Sequence, residues 1–438
     1  MDSKKRQSRK AREWLFSDEE MEHFCDADYK RPRKAKKRLF GDAEDRKRRK
    51  AKKRQSSDSE DEQFNEVGSK RSWKMKKQQF DGVKKGRLNE GQNSWCSEFS
   101  KFREIYYDER LVDVTEEATG NVRDNLEIFF APSGNTEFQF EVEEIKGFCN
   151  GRSITEVIQA QGLAGRDRIA WIDDRSTKRG LEDSTYAREY ENPLTATGLF
   201  RELDKPRFND KHLPDASRRL IYVTDLSPAC IHALVATASS LQAEALRDAI
   251  CNYLACQTSI AVKIPSAGIR TFQLVLHLPL FKLEKTTPPP KESREKGYTK
   301  PRRAWTDLSF LKLDSCDSRG EVQDPKEVWG IQEAQISCVV AGTDNWRWIG
   351  YGFVDTEIDG VLADSDPEEL KFDQIAAQQL EVTTPIWCPR RYWIKVFEFR
   401  IGYVRKRWLH LIRRLEESVD QYVPGPISKY FVFPPLMI

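Results

Sequence analysis

No stretch of the 438 residues approaches the ~18–20 consecutive apolar residues that a membrane-spanning helix requires. The apolar patch at Tyr430–Ile438 is short and is broken by Pro434 and Pro435. Histidine is scarce: there are five, with no HxH or HxxxH spacing, which argues against a His-based metal centre. The nine cysteines are scattered, odd in number and never in a CxxC pair. The charged segment from Met1 to Arg12 is no signal peptide. Together these point to a reduced intracellular compartment, nucleus or cytoplasm undecided, with most cysteines acting as small core residues. No motif with catalytic mechanics is present, so a non-enzymatic role is expected.

Charge is abundant and unevenly placed. Charged residues make up 33% of the chain and mean hydropathy is −0.70, high polarity for one compact globule. Residues 1–90 hold 29 Lys/Arg against 18 Asp/Glu, or +11, leaving 44 against 52, or −8, for the rest. The basic region repeats itself. Arg33-Lys-Ala-Lys-Lys-Arg-Leu-Phe-Gly-Asp-Ala-Glu-Asp45 recurs as Arg49-Lys-Ala-Lys-Lys-Arg-Gln-Ser-Ser-Asp-Ser-Glu-Asp61, and Arg9–Glu20 is a looser copy. Units with so few apolar groups cannot offset an ordering cost of ~1–2 kcal/mol per residue, so residues 1–94 are expected to be a disordered tail. Arg33, Lys34, Lys36, Lys37, Arg38, Arg48, Arg49, Lys50, Lys52, Lys53 and Arg54 suit nuclear import or contact with nucleic acid. A solvated tail of compensating charge blocks fits the same residues. Phosphorylation of the serines in Ser56-Ser-Asp-Ser-Glu-Asp61 would add charge beside the basic blocks.

From Trp95 the pattern becomes that of a folded protein. Glu127–Phe130 and Glu137–Val142 alternate like half-buried strands around a turn at Pro132–Asn135. Ser153 and Glu156 form a capping-box pattern, and Arg168–Ile172 reads as a strand closed by Asp173-Asp174. Paired aspartates can hold a metal, but they more often satisfy turn donors. Arg219–Thr224 suits a strand covered on both faces. Ser227-Pro228 is an N-cap with proline at the first helical position, and Ser239 with Gln242 repeats the cap. Asp225 stands between strand and helix, where α/β enzymes place catalytic groups, though local turn chemistry is the default. Ile260–Ile264 and Thr271–Leu278 are further strands. His277 and His232 are expected to be partly exposed structural histidines.

Lys285-Thr-Thr-Pro-Pro-Pro290 opens a linker through Arg303. Leu308–Leu313, Ala334–Val340 and Trp346–Val354 are strand candidates, with a hairpin around Gly342–Asn345. In Asp355–Asp366, the acids Asp355, Glu357, Asp359 and Asp366 with Gly360 approach calcium-loop spacing. The Glu at the third position, the short Asp at the twelfth and the preceding strand favour a solvated acidic loop. No cofactor is expected, and a divalent cation is the one metal chemistry left open. The longest helix, Arg391–Tyr422, carries Ile394, Phe397, Ile401, Val404, Trp408, Leu411 and Leu415 at spacings of three and four. Its seam, Phe397 to Leu415, suits self-association or packing on the chain's own domain.

Leu213–Leu234, Val262–Gly268 with Thr271–Leu274, and Trp346–Thr356 resemble a family of uncharacterised fungal CorA-like proteins, akin to magnesium transporters. The helix from Tyr392 is similar to the segment that in such proteins runs toward the membrane. The likeness spans approximately residues 95–422. It implies a regulatory or interaction domain corresponding to the cytosolic part of such a protein, natural or from a truncated gene. It does not imply transport, because no hydrophobic helix pair or Gly-Met-Asn triplet is present; the methionines are Met1, Met21, Met75 and Met437.

The expected architecture is α/β, with α+β as the alternative: a mixed sheet with flanking helices and a long C-terminal helix. The expected division is a tail at 1–94, an α/β domain at 95–284, a linker at 285–303, a β-rich segment packing on that domain at 304–388, the helix at 389–423 and a tail at 424–438. A nuclear protein using the basic tail on nucleic acid is the alternative function.

Overall fold

The computed structural model describes residues 95, 99–100, 109–119, 124–130, 138–178, 181–264, 271–287, 303–311, 313 and 327–422. The chain divides into two units, Met1–Cys96 and Ser97–Ile438. The basic blocks from Arg33 to Arg54, the serine cluster and the C-terminal tail lie outside the described residues.

The second unit is built on one mixed sheet. Its strands are β1 Ala170–Lys178, β2 Leu181–Ala187, β3 Arg218–Thr224, β4 Ser259–Lys263, β5 Phe272–Thr286, β6 Trp305–Asp307, β7 Val328–Gly342 and β8 Trp348–Val354. The spatial order is β2-β1-β3-β8-β7-β5-β4, with β6 also paired to β7. β3 and β8 run parallel; the other pairs are antiparallel. The segment at 304–388, expected to pack on the domain, instead supplies two inner strands of its sheet. The linker is likewise shorter than expected, because β5 continues through Lys285 and Thr286.

The helices are α1 Leu111–Thr119, α2 Asn125–Phe129, α3 Phe138–Cys149, α4 Ile154–Ile158, α5 Ala196–Asp204, α6 Pro228–Thr237, α7 Ala243–Leu254, α8 Thr356–Asp359 and α9 Pro389–Tyr422. Two strands expected from sequence are helices here. Leu126, Phe129 and Phe130 of the α2 region, and Val142, Ile145, Phe148 and Cys149 of α3, are buried at helical spacing in one core. The α3 period becomes visible only beyond Val142, where the apparent alternation ends. Leu308–Leu313 is also not a strand. β6 ends at Asp307, whose carboxylate accepts from Ser309 N and starts a 3-10 turn at Ser309–Leu311.

Both sheet faces are covered, which explains why β3 and β8 are buried at every position. Ile349, Tyr351 and Phe353 of β8 join the core with α5, α6 and α7. On the other face, Trp348 meets Tyr392 of α9 with ring centroids 5.1 Å apart. Gly352 allows the close approach there: a Cβ would lie 2.8 Å from Ile375 Cγ1. Cys149 and Cys338 are buried thiols, and burial pushes both up to about 12, so they stay protonated.

α9 packs on β5 and β7. Its buried residues Tyr392, Val396, Arg400, Val404, Leu411 and Ser418 recur at multiples near the helical period. In the expected seam, Val404 and Leu411 are buried, and Leu411 and Leu415 cluster with Leu283, Leu308 and Leu313. Phe397 and Ile401 are half-buried. Phe397 stacks on Trp393, and Trp408 meets Phe281 edge-to-face at 5.4 Å. Much of the seam is thus turned to the chain's own sheet.

Candidate functional site

Open α/β sheets bind ligands outside the carboxyl ends of parallel strands. In this fold that place is the end of β3 and β8. The chain leaves β3 through Asp225, which takes the left-handed conformation, φ 47°. Aspartate is among the few residues that tolerate it. Its carboxylate accepts from Thr356 N at 3.1 Å and Thr356 Oγ1 at 2.8 Å, tying the two strand ends together. Ser227 Oγ then accepts from Cys230 N, and Pro228 occupies the first turn of α6.

A crevice of about 230 Å³ opens beside this corner. Phe148, Leu163, Ile169 and Pro228 form apolar walls, with Arg152, Asp167, Asp225 and Ser227 among the polar groups. Arg152 is paired with Glu156 at 3.2 Å. One turn into α6, His232 is 2% exposed, and neither ring nitrogen has a hydrogen-bond partner among the described residues. Burial lowers its pKa against the pull of Asp124, so the ring is neutral at pH 7. The expectation of a partly exposed histidine is corrected here, since α6 is enclosed by the core.

The other acid expected at this end is engaged too. Asp355, 3% exposed, accepts from Arg303 Nε at 2.6 Å, from Gln335 N at 2.7 Å and from the Tyr253 hydroxyl. The Arg303 guanidinium also lies over the Tyr253 ring at 4.7 Å. Burial and then the Asp355 charge push the Tyr253 phenol well above its usual range. Asp359 accepts from Arg400 Nη1 and from the Tyr222 hydroxyl, both at 2.7 Å. Asp366 accepts from Glu368 N at 2.9 Å. Asp355, Asp359 and Asp366, three of the four acids at calcium-loop spacing, are therefore committed to different partners. Among the described residues no group of three or more His, Cys, Asp or Glu converges as a metal site.

Asp173 and Asp174, expected at a strand end, lie inside β1 and are buried. The sheet register explains why a strand tolerates them. Asp174 stands directly across from Arg219, and Arg175 from Arg218. Arg219 reaches Asp174 with two bonds, at 2.8 and 2.6 Å, and the Tyr190 hydroxyl donates a third at 2.6 Å. Burial alone would raise the Asp174 pKa, but the Arg219 charge and these bonds hold it below the usual carboxylate range. Asp173 accepts from Arg175 and, at 2.6 Å, from Arg218, which also reaches Asp373 at 3.4 Å. Arg218 lies against the rings of Trp348 and Tyr392, at 5.5 and 5.3 Å. Burial lifts the Asp373 pKa despite Arg218.

One further set has the composition of a nucleophile relay. His277 Nδ1 lies 2.8 Å from Ser337 Oγ, its cross-strand partner, and Nε2 lies 3.5 Å from Asp248 Oδ2. Burial pushes the Asp248 carboxyl up, but His277 and Lys263 together hold it below the usual range. His277 is 0% and Ser337 1% exposed, so the expected partial exposure of His277 is also corrected. The hydroxyl lines neither the crevice at β3 nor a second one beside Arg207. A substrate carbonyl would have no approach to it in this conformation. The second crevice, about 360 Å³, is more polar and lies by Arg110, Asp204, Lys205, Arg207, Arg219 and Gln242.

Sequence reading singled out Asp173, Asp174, Asp225, Asp355, Asp359 and His277 but missed their partners Arg218, Arg219, Thr356, Arg303, Arg400 and Ser337. One signal was available: an Asp-Asp-Arg run and an Arg-Arg pair each adjoin an apolar run, Arg168–Ile172 and Leu220–Val223, where unpaired charge is excluded. No protein-family model matches the chain, and no curated protein or solved structure is significantly similar to it. Among the described residues no helix is long and apolar enough to cross a membrane.

Proposed function

We propose that this chain is a regulatory or interaction domain that holds a small ligand in the crevice at the carboxyl end of β3, without transport activity. The observation that carries the reading is the state of the groups at that corner. Asp225 and Asp355 are spent on holding strands, helix and linker end together, while the crevice beside them stays open, with apolar walls and a polar rim. Such a corner binds and transmits through its ties; Asp225 and Thr356 link the crevice directly to the start of α8. The test is thermal melting of the full chain against a panel of small metabolites, with each hit repeated on Ala229→Trp, which fills the crevice. A ligand at 100 times its Kd contributes about 2.7 kcal/mol, a shift of several degrees. The expected result is a shift in the native chain that is lost in the variant. Shifts equal in both proteins, or chemical conversion of the hit, would overturn the reading.

The second reading, a nuclear protein contacting nucleic acid through its tail, is favoured by the +11 charge of residues 1–90. Deleting residues 1–90 would abolish nuclear accumulation and weaken retention on nucleic acid if that reading holds.

A further inference from the structure

The outer face of α9 carries a concentration of cations that the rest of its unit does not explain. The run Arg405-Lys-Arg-Trp-Leu-His-Leu-Ile-Arg-Arg414 holds five Lys/Arg, on a chain whose residues beyond 90 sum to −8. Two of the five are engaged: Arg407 donates to Tyr403 and lies over its ring, and Arg414 pairs with Glu417 and lies over Trp329. Arg405, Lys406 and Arg413 are exposed and, among the described residues, form no ion pair. Elsewhere on the same helix Lys395 and Arg400 each have a carboxylate. The three unpaired cations surround exposed Leu409 and His410, and Trp408 beside them is 39% exposed. The opposite side of the helix is fixed to β5 and β7, which holds this surface rigid.

From the unpaired cations and the neighbouring indole we infer that this face of α9 binds a single-stranded nucleic acid. Arg405 and Arg413 are eight residues apart, about 12 Å along the axis. That is about three to four phosphates of one stacked strand. Three cations on a convex rigid surface neutralise backbone charge, and Trp408 offers a ring on which a base stacks. An anionic bilayer suits the face less well, because the apolar contribution is a single exposed Leu409 and a tryptophan half-covered by Phe281. This surface shares no residue with the crevice at β3.

The experiment is fluorescence anisotropy of a labelled 20-nucleotide single strand of mixed sequence, titrated with the full chain between 50 and 300 mM KCl. Each neutralised phosphate contributes about 0.7 to the slope of log K against log salt. The variant carrying Arg405→Gln, Lys406→Gln and Arg413→Gln changes only exposed side chains. It should lower the magnitude of the slope by about 2 and weaken binding about 100-fold at 0.1 M KCl. Trp408→Ala should weaken binding about tenfold and leave the slope unchanged. Lys371→Gln, exposed and outside this helix, should change neither quantity. An unchanged slope and affinity in the triple variant would leave the tail as the sole contact and overturn the proposal. So would displacement of the strand by polyglutamate as effectively as by unlabelled nucleic acid, which would mark a surface for acidic protein.

Discussion

Replacing Arg219 by methionine removes the cation from a deeply buried ion pair of the sheet. Asp174 is 0% exposed and, among the described residues, would keep the Tyr190 hydroxyl as its side-chain hydrogen-bond partner. Removing one partner of a buried pair costs about 3–5 kcal/mol, since the remaining charge can neither be solvated nor compensated. For a domain of this size, with a urea m-value of about 3 kcal/mol/M or more, the midpoint should fall by about 1 M or somewhat more. The pH dependence fixes the cause. In the native chain the Asp174 pKa lies below its unfolded value, so its contribution is complete above about pH 4 and is lost only as pH falls through the folded pKa. In the variant, burial without the cation places the folded pKa above the unfolded one. The penalty then stands at pH 7 and is relieved as the carboxyl takes up a proton. The gap between native and variant should therefore narrow steadily from pH 7 to pH 4.5. Adding Asp174→Asn to the variant should recover part of the loss at pH 7. Urea unfolding followed by tryptophan fluorescence measures all of this. A loss below about 1 kcal/mol at pH 7, or a loss independent of pH, would refute the assignment of a charged, cation-dependent Asp174.

Two further outcomes test packing rather than charge. Gly352→Ala places a Cβ 2.8 Å from Ile375 Cγ1 and should cost about 1–3 kcal/mol, whereas Gly402→Ala, with open space on the helix surface, should gain about 0.5–1 kcal/mol; melting temperatures of opposite sign are the readout. Leu411→Ala should cost about 2–5 kcal/mol at every protein concentration, because Leu411 is 4% exposed within its own unit; a penalty that vanished on dilution would instead place that residue in an interface between copies.

Several elements could be read directly from the chain. The apolar run of β3, the Ser227-Pro228 start of α6, the hairpin between β7 and β8 and the long helix α9 each have a local cause that survives folding: continuous burial, a cap, a tight turn, a helical period. Others depended on neighbours. The aromatic segments at 127–130 and 137–142 alternate over too few residues to separate two periods, and the core they join made them helices. Asp355 and Asp359 matched a metal loop by spacing, but spacing along the chain does not state which cation stands opposite. Arg303 and Arg400, remote in sequence, took those carboxylates. His277 lay on an alternating strand and was expected to be partly exposed; β4 and α7 cover it.

By itself the sequence determined that a strongly basic region precedes a folded α/β unit, because charge distribution and apolar periodicity are properties of neighbouring residues. Only the tertiary structure decided that 304–388 enters the same sheet as 95–284, that the Asp-Asp-Arg run of β1 meets the Arg-Arg pair of β3, and that Val404 and Leu411 of the α9 seam face inward while Arg405, Lys406 and Arg413 face out. Those outcomes are set by strand order, register and helix rotation. They follow from the joint burial of distant segments, which no local window contains.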